Sequence, residues 1–419
     1  DKSISHRALI LASNCMGNTK IYGLLESEDV FNTLAALKKL GIKIIKKPKY
    51  YEVYGSGGFF CEPSEKLDFG NSGTGLRLMI GLLSTRNINA TFVGDKSLSK
   101  RPMLRIIEPL RTMNTKIEHN NGFLPINIKA NQFFSVPIKY NLKIGSAQIK
   151  SALLLAGMVV KGTTEITENV FSRDHTERML KFLGAKIEIK KKSKKNFIKL
   201  CSPTLLKSNE IFVPGDISSA AFIIVAALLI EGSFIEIKGV GLNLLRIGFI
   251  DVLKKMKGKV FVKNKRIVNN EVIGDIEVRY SKLVSVNLNK SISARLIDEY
   301  PILFVAACFA LGSSKFSGLE ELKFKESDRL ISMSKALKLA GVDLEVGKDS
   351  MYIKGNNSQK GGCLVDTFSD HRIAMSMLIF GLVSREPVIV DDIRMIDTSF
   401  PGFRNIMKKI GAKIEFIQK

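Results

Sequence analysis

The sequence is poor in the residues that bind metals and form disulfide bonds. It has no tryptophan, five scattered cysteines without a CxxC pair, and four histidines, no two of which stand at metal-ligand spacing. These absences argue against a zinc site and against a disulfide framework, so we expect no metal and no bridging cysteines. Unpaired cysteines are typical of a reducing compartment, and we therefore expect a cytoplasmic protein.

Long hydrophobic runs are also missing. The longest apolar run covers residues 220–230, well below the roughly 20 residues that span a bilayer, so we predict a buried helix there and no membrane partner. The chain has no signal peptide and begins at Asp1 rather than at Met, so we expect an N-terminal segment to be missing. A length of 419 residues, 45% of them hydrophobic, is sufficient for two domains.

Acidic residues are scarce relative to basic ones. Lys and Arg number 64 against 40 Asp and Glu, which gives a formal net charge of +24. A basic protein attracts nucleic acid, membranes or small phosphates, whereas a lysine-rich composition alone would produce solvated runs such as 190–195. A nucleic-acid-binding protein is therefore one alternative. The chain has no basic stripe interleaved with aromatic residues and no recognised DNA or RNA motif, so we predict no nucleic-acid partner.

A weak pattern recurs six times along the chain. It consists of a leucine or methionine, three residues, a glycine-like turn and the apolar start of a strand. The copies are 37–44, 110–117, 180–187, 253–260, 337–344 and 407–414. Each copy predicts a helix that ends at a Gly or Asn cap and leads into a strand. The fourth copy carries one extra residue and places its turn at Gly258.

A second marker has the same period. Small polar residues open an apolar helix near Ser3, Gly73, Ala147, Ser218, Asp298 and His371. Six repeated α/β units, each with two helices, therefore account for the chain, and we predict two domains of three units. Proline and glycine near 213–216 favour a boundary that gives residues 1–213 and 214–419. The strand that should precede the first helix is absent, which agrees with a missing N-terminal segment.

Polar residues gather where the repeated helices of the first half begin. A helix N-terminus offers free N–H groups and partial positive charge, which suits phosphate and carboxylate. Lys2, Ser3 and Arg7 lie within about one turn of each other at such a start. The turn 71–77 ends in an arginine but lacks the GxxxxGK[ST] pattern, so the sequence does not indicate a loop that binds a nucleoside triphosphate. Simple capping remains the alternative for each of these starts.

The second half supplies carboxylates next to basic residues. Asp298 precedes a predicted buried helix, and partial burial would raise its pKa and suit it to proton transfer. The segment 325–329 carries both signs of charge, and His371 opens the sixth repeated helix. The alternatives are an N-cap aspartate and a surface ion-pair turn. Taken together, these residues predict a cleft for small, multiply anionic substrates with acid–base chemistry inside.

Ten segments in order then point to a family. They read DKSISHR, NSGTGLRL, RPM, SAQIKSALLLAG, SRDHTER, PGDISSAAF, IDEYP, KESDRL, DHRIAM and TSFPGF. Together they resemble the 5-enolpyruvylshikimate-3-phosphate (EPSP) synthases, in the bacterial form that carries SAQ, RPM and IDE motifs. The resemblance implies an α/β fold of two domains, the inside-out α/β barrel of the enolpyruvyl transferases, with three βαβαββ units in each domain. It also implies that the missing strand belongs to the second domain.

The resemblance assigns substrate-binding residues by motif. Its shikimate 3-phosphate set is Lys2, Ser3, Arg7, Ser146, Gln148, Arg173, Asp298 and Lys325. Its phosphoenolpyruvate set is Lys2, Gly73, Arg101, Gln148, Arg329 and Arg372, with Asn71 and His371 in support. Two positions depart from the family pattern. Thr398 stands where the family often has a lysine, and Ala147 stands where some relatives have a second serine.

The implied reaction transfers the enolpyruvyl group of phosphoenolpyruvate to the 5-hydroxyl of shikimate 3-phosphate through a tetrahedral adduct. Asp298 would accept the hydroxyl proton and Glu326 would protonate the methylene carbon, with Lys2 as the alternative group for moving either proton. The resemblance implies no cofactor, a monomer, and room beside Gly73 for glyphosate-like inhibitors. The nearest alternative is the cell-wall enolpyruvyl transferase that acts on a UDP-sugar. That family usually has a reactive cysteine near the RP segment, and residues 94–103 contain none.

Overall fold

The computed structural model describes residues 1–131, 134–415 and 417. The chain forms two compact units. The first consists of Asp1–Pro214 together with Ile267–Glu271, and the second contains the described residues from Gly215 to Arg266 and from Val272 onward. Buried apolar side chains form one core in each unit.

The first unit alternates helices with short strands. Its helices are α1 (Lys2–Ser13), α2 (Glu28–Lys39), α3 (Gly73–Ser84), α4 (Leu104–Arg111), α5 (Ala147–Gly157) and α6 (His175–Phe182). Its strands are β1 (Cys15–Tyr22), β2 (Lys43–Lys46), β3 (Tyr50–Ser56), β4 (Leu67–Asp68), β5 (Ala90–Val93), β6 (Lys116–Asn120), β7 (Phe123–Lys129), β8 (Lys139–Leu142), β9 (Gly162–Glu168), β10 (Ile187–Lys192), β11 (Lys195–Ser202), β12 (Leu206–Lys207) and β13 (Glu210–Phe212).

The second unit has the same mixture of elements. Its helices are α7 (Ile217–Leu229), α8 (Gly248–Lys255), α9 (Lys290–Ser293), α10 (Tyr300–Cys308), α11 (Arg329–Leu339), α12 (His371–Gly381) and α13 (Phe403–Lys409). Its strands are β14 (Phe234–Gly241), β15 (Lys259–Val268), β16 (Glu271–Arg279), β17 (Asn287–Leu288), β18 (Gly312–Ser317), β19 (Leu344–Val346), β20 (Ser350–Gly355), β21 (Leu364–Val365) and β22 (Ile389–Val390). A 3-10 helix at Arg394–Thr398 precedes α13.

The sheets repeat one connection pattern. In the orders β4-β5-β7-β6, β8-β9-β11-β10 and β17-β18-β20-β19, the first pair is parallel and the other pairs are antiparallel. Strand β1 likewise pairs in parallel with β12 and β13 and antiparallel with β3, which pairs with β2. The remaining sheets are β14-β16-β15 and the parallel pair β21-β22. Among the described residues, four sheets thus share this pattern, as a repeated α/β unit would produce.

The predicted helix ends are confirmed in five copies of the repeat. The turn residues there have φ angles between 61° and 98°, in the left-handed region, at Gly41, Asn114, Gly184, Gly341 and Gly411. In the fourth copy the prediction was wrong, because Lys257 takes this conformation at φ 62° instead of Gly258. Lys257 is four residues after Leu253, the spacing of the other copies, so the extra residue lies after the turn rather than before it.

The strand predicted after the sixth copy is not formed in the described residues. Helix α13 ends at Lys409, and residues 412–415 have no strand assignment. A strand requires a partner whose backbone completes its hydrogen bonds. The backbone N–H of Ala412 donates to the carbonyl oxygen of Met407 at 2.9 Å, the same helix-ending bond that Ile42 makes to Leu37 in the first copy, so the turn itself is conserved within the repeat.

Apolar helices place the starts of the repeated units against the core. All of α1 from Ile4 to Ser13 is buried, and α3 packs on α5. A Cβ at Gly81 of α3 would lie 2.4 Å from the carbonyl oxygen of Ala152 of α5, so only glycine permits this approach. Within the described residues, no helix has the length and apolar character needed to cross a bilayer.

Candidate active site

The first turn of α1 holds Lys2 beside a carboxylate. Asp1 caps the helix, since its Oδ1 accepts a hydrogen bond from the backbone N–H of Ile4 at 2.9 Å. Lys2 Nζ lies 2.8 Å from Oδ2 of Asp29, a residue in the first turn of α2. The Lys2 side chain is 17% exposed. Its ammonium group is therefore paired with Asp29 and still accessible to an anion.

Arg7 lies one turn further along α1 and is almost fully buried. Its Nε donates to Thr176 Oγ1 at 2.7 Å, and its two terminal nitrogens donate to the Ser3 carbonyl at 2.8 Å and to Ser151 Oγ at 2.9 Å. Thr176 Oγ1 and Ser151 Oγ are themselves 2.6 Å apart. Helices α5 and α6 thus fix the orientation of this guanidinium.

His6 connects the same helix to its neighbours. Its Nδ1 lies 2.8 Å from Thr33 Oγ1 of α2, and its Nε2 lies 3.5 Å from Ser72 Oγ, the cap of α3. Burial, together with the nearby charges of Lys2 and Arg7, holds the pKa of His6 well below its usual value. The ring is therefore neutral near pH 7, and it links α1 to α2 and to the N-cap of α3 without adding charge.

The start of α3 brings several predicted phosphoenolpyruvate residues together. A Cβ atom at Gly73 would lie 2.9 Å from Nη1 of Arg101 and 3.1 Å from Nη1 of Arg77. Arg77 Nη1 donates to Gln148 Oε1 at 2.9 Å. Arg101 donates to the side chain of Asn71. The two guanidinium groups thus converge on the space above Gly73.

Ser146 and Arg173 lie on either side of α5 in the chain. Ser146 caps α5, with its Oγ 3.4 Å from the backbone nitrogen of Ile149, so the capping alternative is confirmed for this residue. Arg173 is half-buried in the loop between β9 and α6. Ser172 opens the motif before α6 and could cap that helix, but Asp174 is its N-cap residue. Instead, Ser172 Oγ donates to Glu168 at 2.5 Å.

In the second unit, Asp298 is surrounded by basic residues. Its Oδ1 accepts from Lys325 Nζ at 2.8 Å and lies 3.7 Å from Nη1 of Arg329. Arg372 Nη1 donates to the backbone carbonyl of Asp298 at 2.9 Å. The structure thus brings together four residues of the predicted set.

Arg329 carries the densest network of this cluster. It is 1% exposed, its Nε donates to Asp370 Oδ2 at 2.8 Å, and it also donates to Glu326. Burial lowers the pKa of Arg329, but the charges of Asp370, Glu326 and Asp298 outweigh burial and raise it overall. Burial would raise the pKa of Asp370, and the Arg329 charge lowers it further than burial raises it. Both groups are therefore ionised near neutral pH.

The sixth repeated helix and Thr398 complete the predicted set. His371 is the first residue of α12 and is buried, and Asp370 caps that helix. The Thr398 hydroxyl donates to the carbonyl oxygen of Met395 at 2.7 Å. Thr398 therefore caps its own turn and adds no cation at the position where the family often has lysine.

The sequence-based prediction did not include several polar residues of this region. Asp29, Arg77 and Asp370 contact Lys2, Gln148 and Arg329, respectively. Lys150, Glu168 and Glu177 instead form a buried ion-pair cluster with one another. Arg77 and Asp370 stand inside quoted motifs, so the spacing from each helix start could have identified them. Lys150 is a charged residue in a predicted apolar helix, which is a signal for a buried partner. Asp29 had no comparable signal, because it is 27 residues from Lys2.

The chemistry available here is that of anion binding with proton transfer. Among the described residues, no three His, Cys, Asp or Glu side chains are grouped as a metal ion would require. Each unit instead presents arginine and lysine groups near helix starts. Arginine and lysine form short, charge-assisted bonds to phosphate and carboxylate. Carboxylates among them, such as Glu326 and Asp298, can move protons.

Comparisons of sequence support this interpretation. A profile of the family described as EPSP synthase (3-phosphoshikimate 1-carboxyvinyltransferase) matches residues 1–407. The 3-phosphoshikimate 1-carboxyvinyltransferase of Bartonella henselae is 48% identical over 419 residues, which cover 99% of this chain and 95% of that protein. The protein of the same name from Gluconobacter oxydans is 44% identical over 415 residues, covering 98% and 94%.

Comparisons of structure give the same result. EPSP synthase from Acinetobacter baumannii matches with a TM-score of 0.87 at 38% identity, covering 100% of this chain and 95% of that one. The enolpyruvyl transferase NikO from Streptomyces tendae matches with a TM-score of 0.77 at 14% identity, covering 98% and 93%. The second likeness concerns the fold alone.

Proposed function

This chain belongs to the EPSP synthase (3-phosphoshikimate 1-carboxyvinyltransferase) family, and from that premise we propose how its residues perform the reaction. The enzyme is a transferase of the shikimate pathway that moves the enolpyruvyl group of phosphoenolpyruvate to shikimate 3-phosphate. Its fold is of the predicted α/β class and is shared with the enolpyruvyl transferases. The observation that carries the proposal is the convergence of Arg101, Arg77 and Gln148 above Gly73.

The first part of the proposal concerns phosphoenolpyruvate. Its phosphate and carboxylate would lie on Arg101 and Lys2, with Gln148 in contact and Gly73 leaving room for the ligand. Arg329 and Arg372 are the remaining members of the proposed phosphoenolpyruvate set. Holding two anions side by side removes much of the entropic barrier to their reaction, an effect that can supply about 7–11 kcal/mol in favourable cases.

The second part concerns shikimate 3-phosphate. Its phosphate would contact Ser3, Arg7, Ser146 and Arg173. Lys2, Gln148, Asp298 and Lys325 would contact the rest of the molecule. Arg7 is already oriented by Ser151 and Thr176, so little side-chain freedom is lost when the phosphate binds.

The third part concerns proton transfer. Asp298 accepts the proton of the attacking 5-hydroxyl as the new carbon–oxygen bond forms, and Glu326 gives a proton to the methylene carbon. The adduct then loses phosphate while the Glu326 carboxylate takes a proton back from the new methyl group, which restores the double bond, and the proton held by Asp298 is released with the phosphate. Cationic side chains stabilise the developing charge, so the mechanism uses no cofactor. Lys2 lies 2.8 Å from Asp29, and Asp298 lies 2.8 Å from Lys325. These ion pairs fix the positions of the two side chains, which supports the proposed roles.

We extend the proposal to features beyond the reaction. We propose six βαβαββ units in an inside-out barrel, three per domain, with domains at 1–213 and 214–419. The strand order that four sheets share supports the repeated unit. A monomer in the cytoplasm fits the family. Size-exclusion chromatography with light scattering tests whether the protein is a monomer. A stable dimer would give a measured mass of twice the 46.5 kDa of the chain.

The activity is tested by phosphate release. We expect release only when phosphoenolpyruvate and shikimate 3-phosphate are both present. Replacing shikimate 3-phosphate with UDP-N-acetylglucosamine distinguishes this activity from that of the cell-wall enolpyruvyl transferase. Release with the UDP-sugar, or with neither acceptor, would contradict the proposal.

Arg101→Ala is expected to reduce kcat/KM for phosphoenolpyruvate about 10²-fold, since a hydrogen bond to a charged group contributes roughly 1.5–3 kcal/mol. Steady-state kinetics with varied phosphoenolpyruvate measures this loss. Arg105→Ala is the matched control, because Arg105 is an exposed arginine in the first turn of the following helix. Equal effects in both variants would remove Arg101 from the site.

Gly73→Ala is expected to raise KM for phosphoenolpyruvate about fivefold, which corresponds to the lower end of the roughly 1–3 kcal/mol cost of overpacking. The added methyl would press on the guanidinium ends of the long Arg101 and Arg77 side chains rather than on backbone, so the protein should still fold. Glyphosate titration of both proteins shows whether the inhibitor competes for the same space. Unchanged kinetics together with an absence of competition would place phosphoenolpyruvate elsewhere.

A further inference from the structure

A fully buried charge cluster lies beneath the loop that carries Arg173. Lys150 of α5 lies 3.1 Å from Glu168, the last residue of β9, and 2.7 Å from Glu177 of α6. None of the three side chains is exposed. Asn196 also donates to Glu168 at 3.1 Å. We refer to Lys150, Glu168 and Glu177 as the buried triad.

The buried triad binds every polar group of Ser172. Lys150 Nζ donates to the Ser172 carbonyl oxygen at 3.2 Å. Glu168 Oε1 accepts from the Ser172 backbone nitrogen at 3.3 Å and from its hydroxyl at 2.5 Å. The Ser172 carbonyl belongs to the peptide bond that leads to Arg173. The orientation of that peptide is therefore set by Lys150.

The same cluster connects the elements that carry other predicted anion ligands. Lys150 lies two residues after Gln148 on α5. Glu177 follows Thr176, whose hydroxyl holds Arg7 at 2.7 Å. The triad thus joins α5, the end of β9 and α6 at one buried point.

Stability alone gives a weak reason for this arrangement. Buried ion pairs are often no more stabilising than apolar side chains of the same size, because both charges lose their hydration. Here two carboxylates share one ammonium group. Burial raises the pKa of Glu177, and Lys150 only partly offsets this. What apolar side chains could not supply is the directed set of hydrogen bonds to Ser172.

We propose that Lys150 and Glu168 are positioning residues, which fix the 172–173 peptide so that the Arg173 guanidinium is held for the phosphate of the sugar substrate. This inference rests on the proposed function, in which Arg173 contacts shikimate 3-phosphate. It adds a specificity role to residues that touch no substrate. The effect should appear in the binding of one substrate only.

The test removes the charge of Lys150 without leaving two unpaired carboxylates. In a Glu177→Gln background, Lys150→Met is expected to raise KM for shikimate 3-phosphate about tenfold, while KM for phosphoenolpyruvate and kcat change by less than about twofold. A tenfold change is the size expected when one charge-assisted hydrogen bond to the substrate is removed, about 1.4 kcal/mol. Glu168→Gln alone, which keeps the shape of the side chain, should shift the same KM in the same direction.

A double-mutant cycle shows whether the effect passes through Arg173. If it does, Lys150→Met should add little to the KM increase caused by Arg173→Ala in the same background. Lys199→Met is the control, because it breaks an exposed pair with Glu165 of β9, at 3.1 Å, and should leave both KM values unchanged.

Each outcome decides the inference. Equal KM increases for both substrates, additive effects with Arg173→Ala, or an unchanged KM in a folded Lys150→Met or Glu168→Gln variant would overturn the positioning role. These results require an active parent protein. Absence of two-substrate phosphate release in the unmodified chain would instead refute the proposed function, so the two failures are distinguishable.

Discussion

Glu326→Gln is expected to lower kcat about 10²–10⁴-fold, the range typical of a lost general acid or base. The Glu326 side chain hydrogen-bonds to Arg329 in the candidate site. Glutamine keeps the shape and one acceptor oxygen, so Arg329 retains a partner, but it cannot transfer the proton to the methylene carbon. The measurement is phosphate release at saturating concentrations of both substrates, across pH 5 to 9.

Glu320→Gln provides the matched control for this prediction. Glu320 lies six residues earlier and forms an exposed pair with Lys290 at 2.9 Å. Its loss should leave kcat unchanged. A Glu326→Gln variant that retains both kcat and the shape of the wild-type pH profile would show that another group moves the proton.

Asp370→Asn is expected to lower the free energy of unfolding by about 3–5 kcal/mol, the usual effect of breaking a buried ion pair. Asp370 has no exposed surface, and its partner Arg329 is 1% exposed. Asparagine is as good an N-cap residue as aspartate. The stability lost in the variant therefore measures the missing charge of Asp370 and not a missing cap of α12. Urea unfolding measured by circular dichroism at pH 7 gives the difference.

The same substitution should change how stability depends on pH. The pKa of Asp370 is lowered in the folded protein, despite burial, by the charge of Arg329. Its contribution is therefore present above the unfolded-state pKa of about 3.9 and is lost as the pH falls through the lower folded-state value. The variant should lose less stability than the wild type between pH 4 and pH 2.

Asp392→Asn tests the charge effect where it should be small. Asp392 pairs with Arg394 at 2.7 Å on the surface, where the Arg394 side chain is 89% exposed. Exposed pairs contribute about 0–1 kcal/mol, so this variant should stay close to the wild type at pH 7. Comparable losses in both variants would mean that burial does not decide the strength of the Arg329–Asp370 pair.

Local signals predicted much of the fold. The helices that begin at Gly73, Ala147 and His371 start where the small polar markers indicated. Glycine and asparagine turns ended the helices because these residues tolerate positive φ. The turn at Lys257 was not predicted, because a lysine with positive φ has no sequence signature. Only its spacing of four residues from Leu253 identifies it.

The contacts within the candidate site were predicted less well than the helices. The arginines at helix starts could be named from motifs, since a helix start has the same electrostatic character in any protein. Their partners could not be named in this way. Asp29 and Lys2 are 27 residues apart, and Glu168 lies 18 residues from Lys150. Contacts at such separations depend on which helices pack together.

By itself, the sequence determined the α/β class, the repeated helix starts, the family and the basic residues that stand near those helix starts. These features follow from residue spacing, backbone preference and charge, which act within a few residues. Tertiary structure alone decided which carboxylate pairs with Lys2 or Arg329, and which buried charges hold the peptide before Arg173. The physical reason is that an ion pair or hydrogen bond requires atoms within about 3–4 Å, and only packing brings distant segments that close.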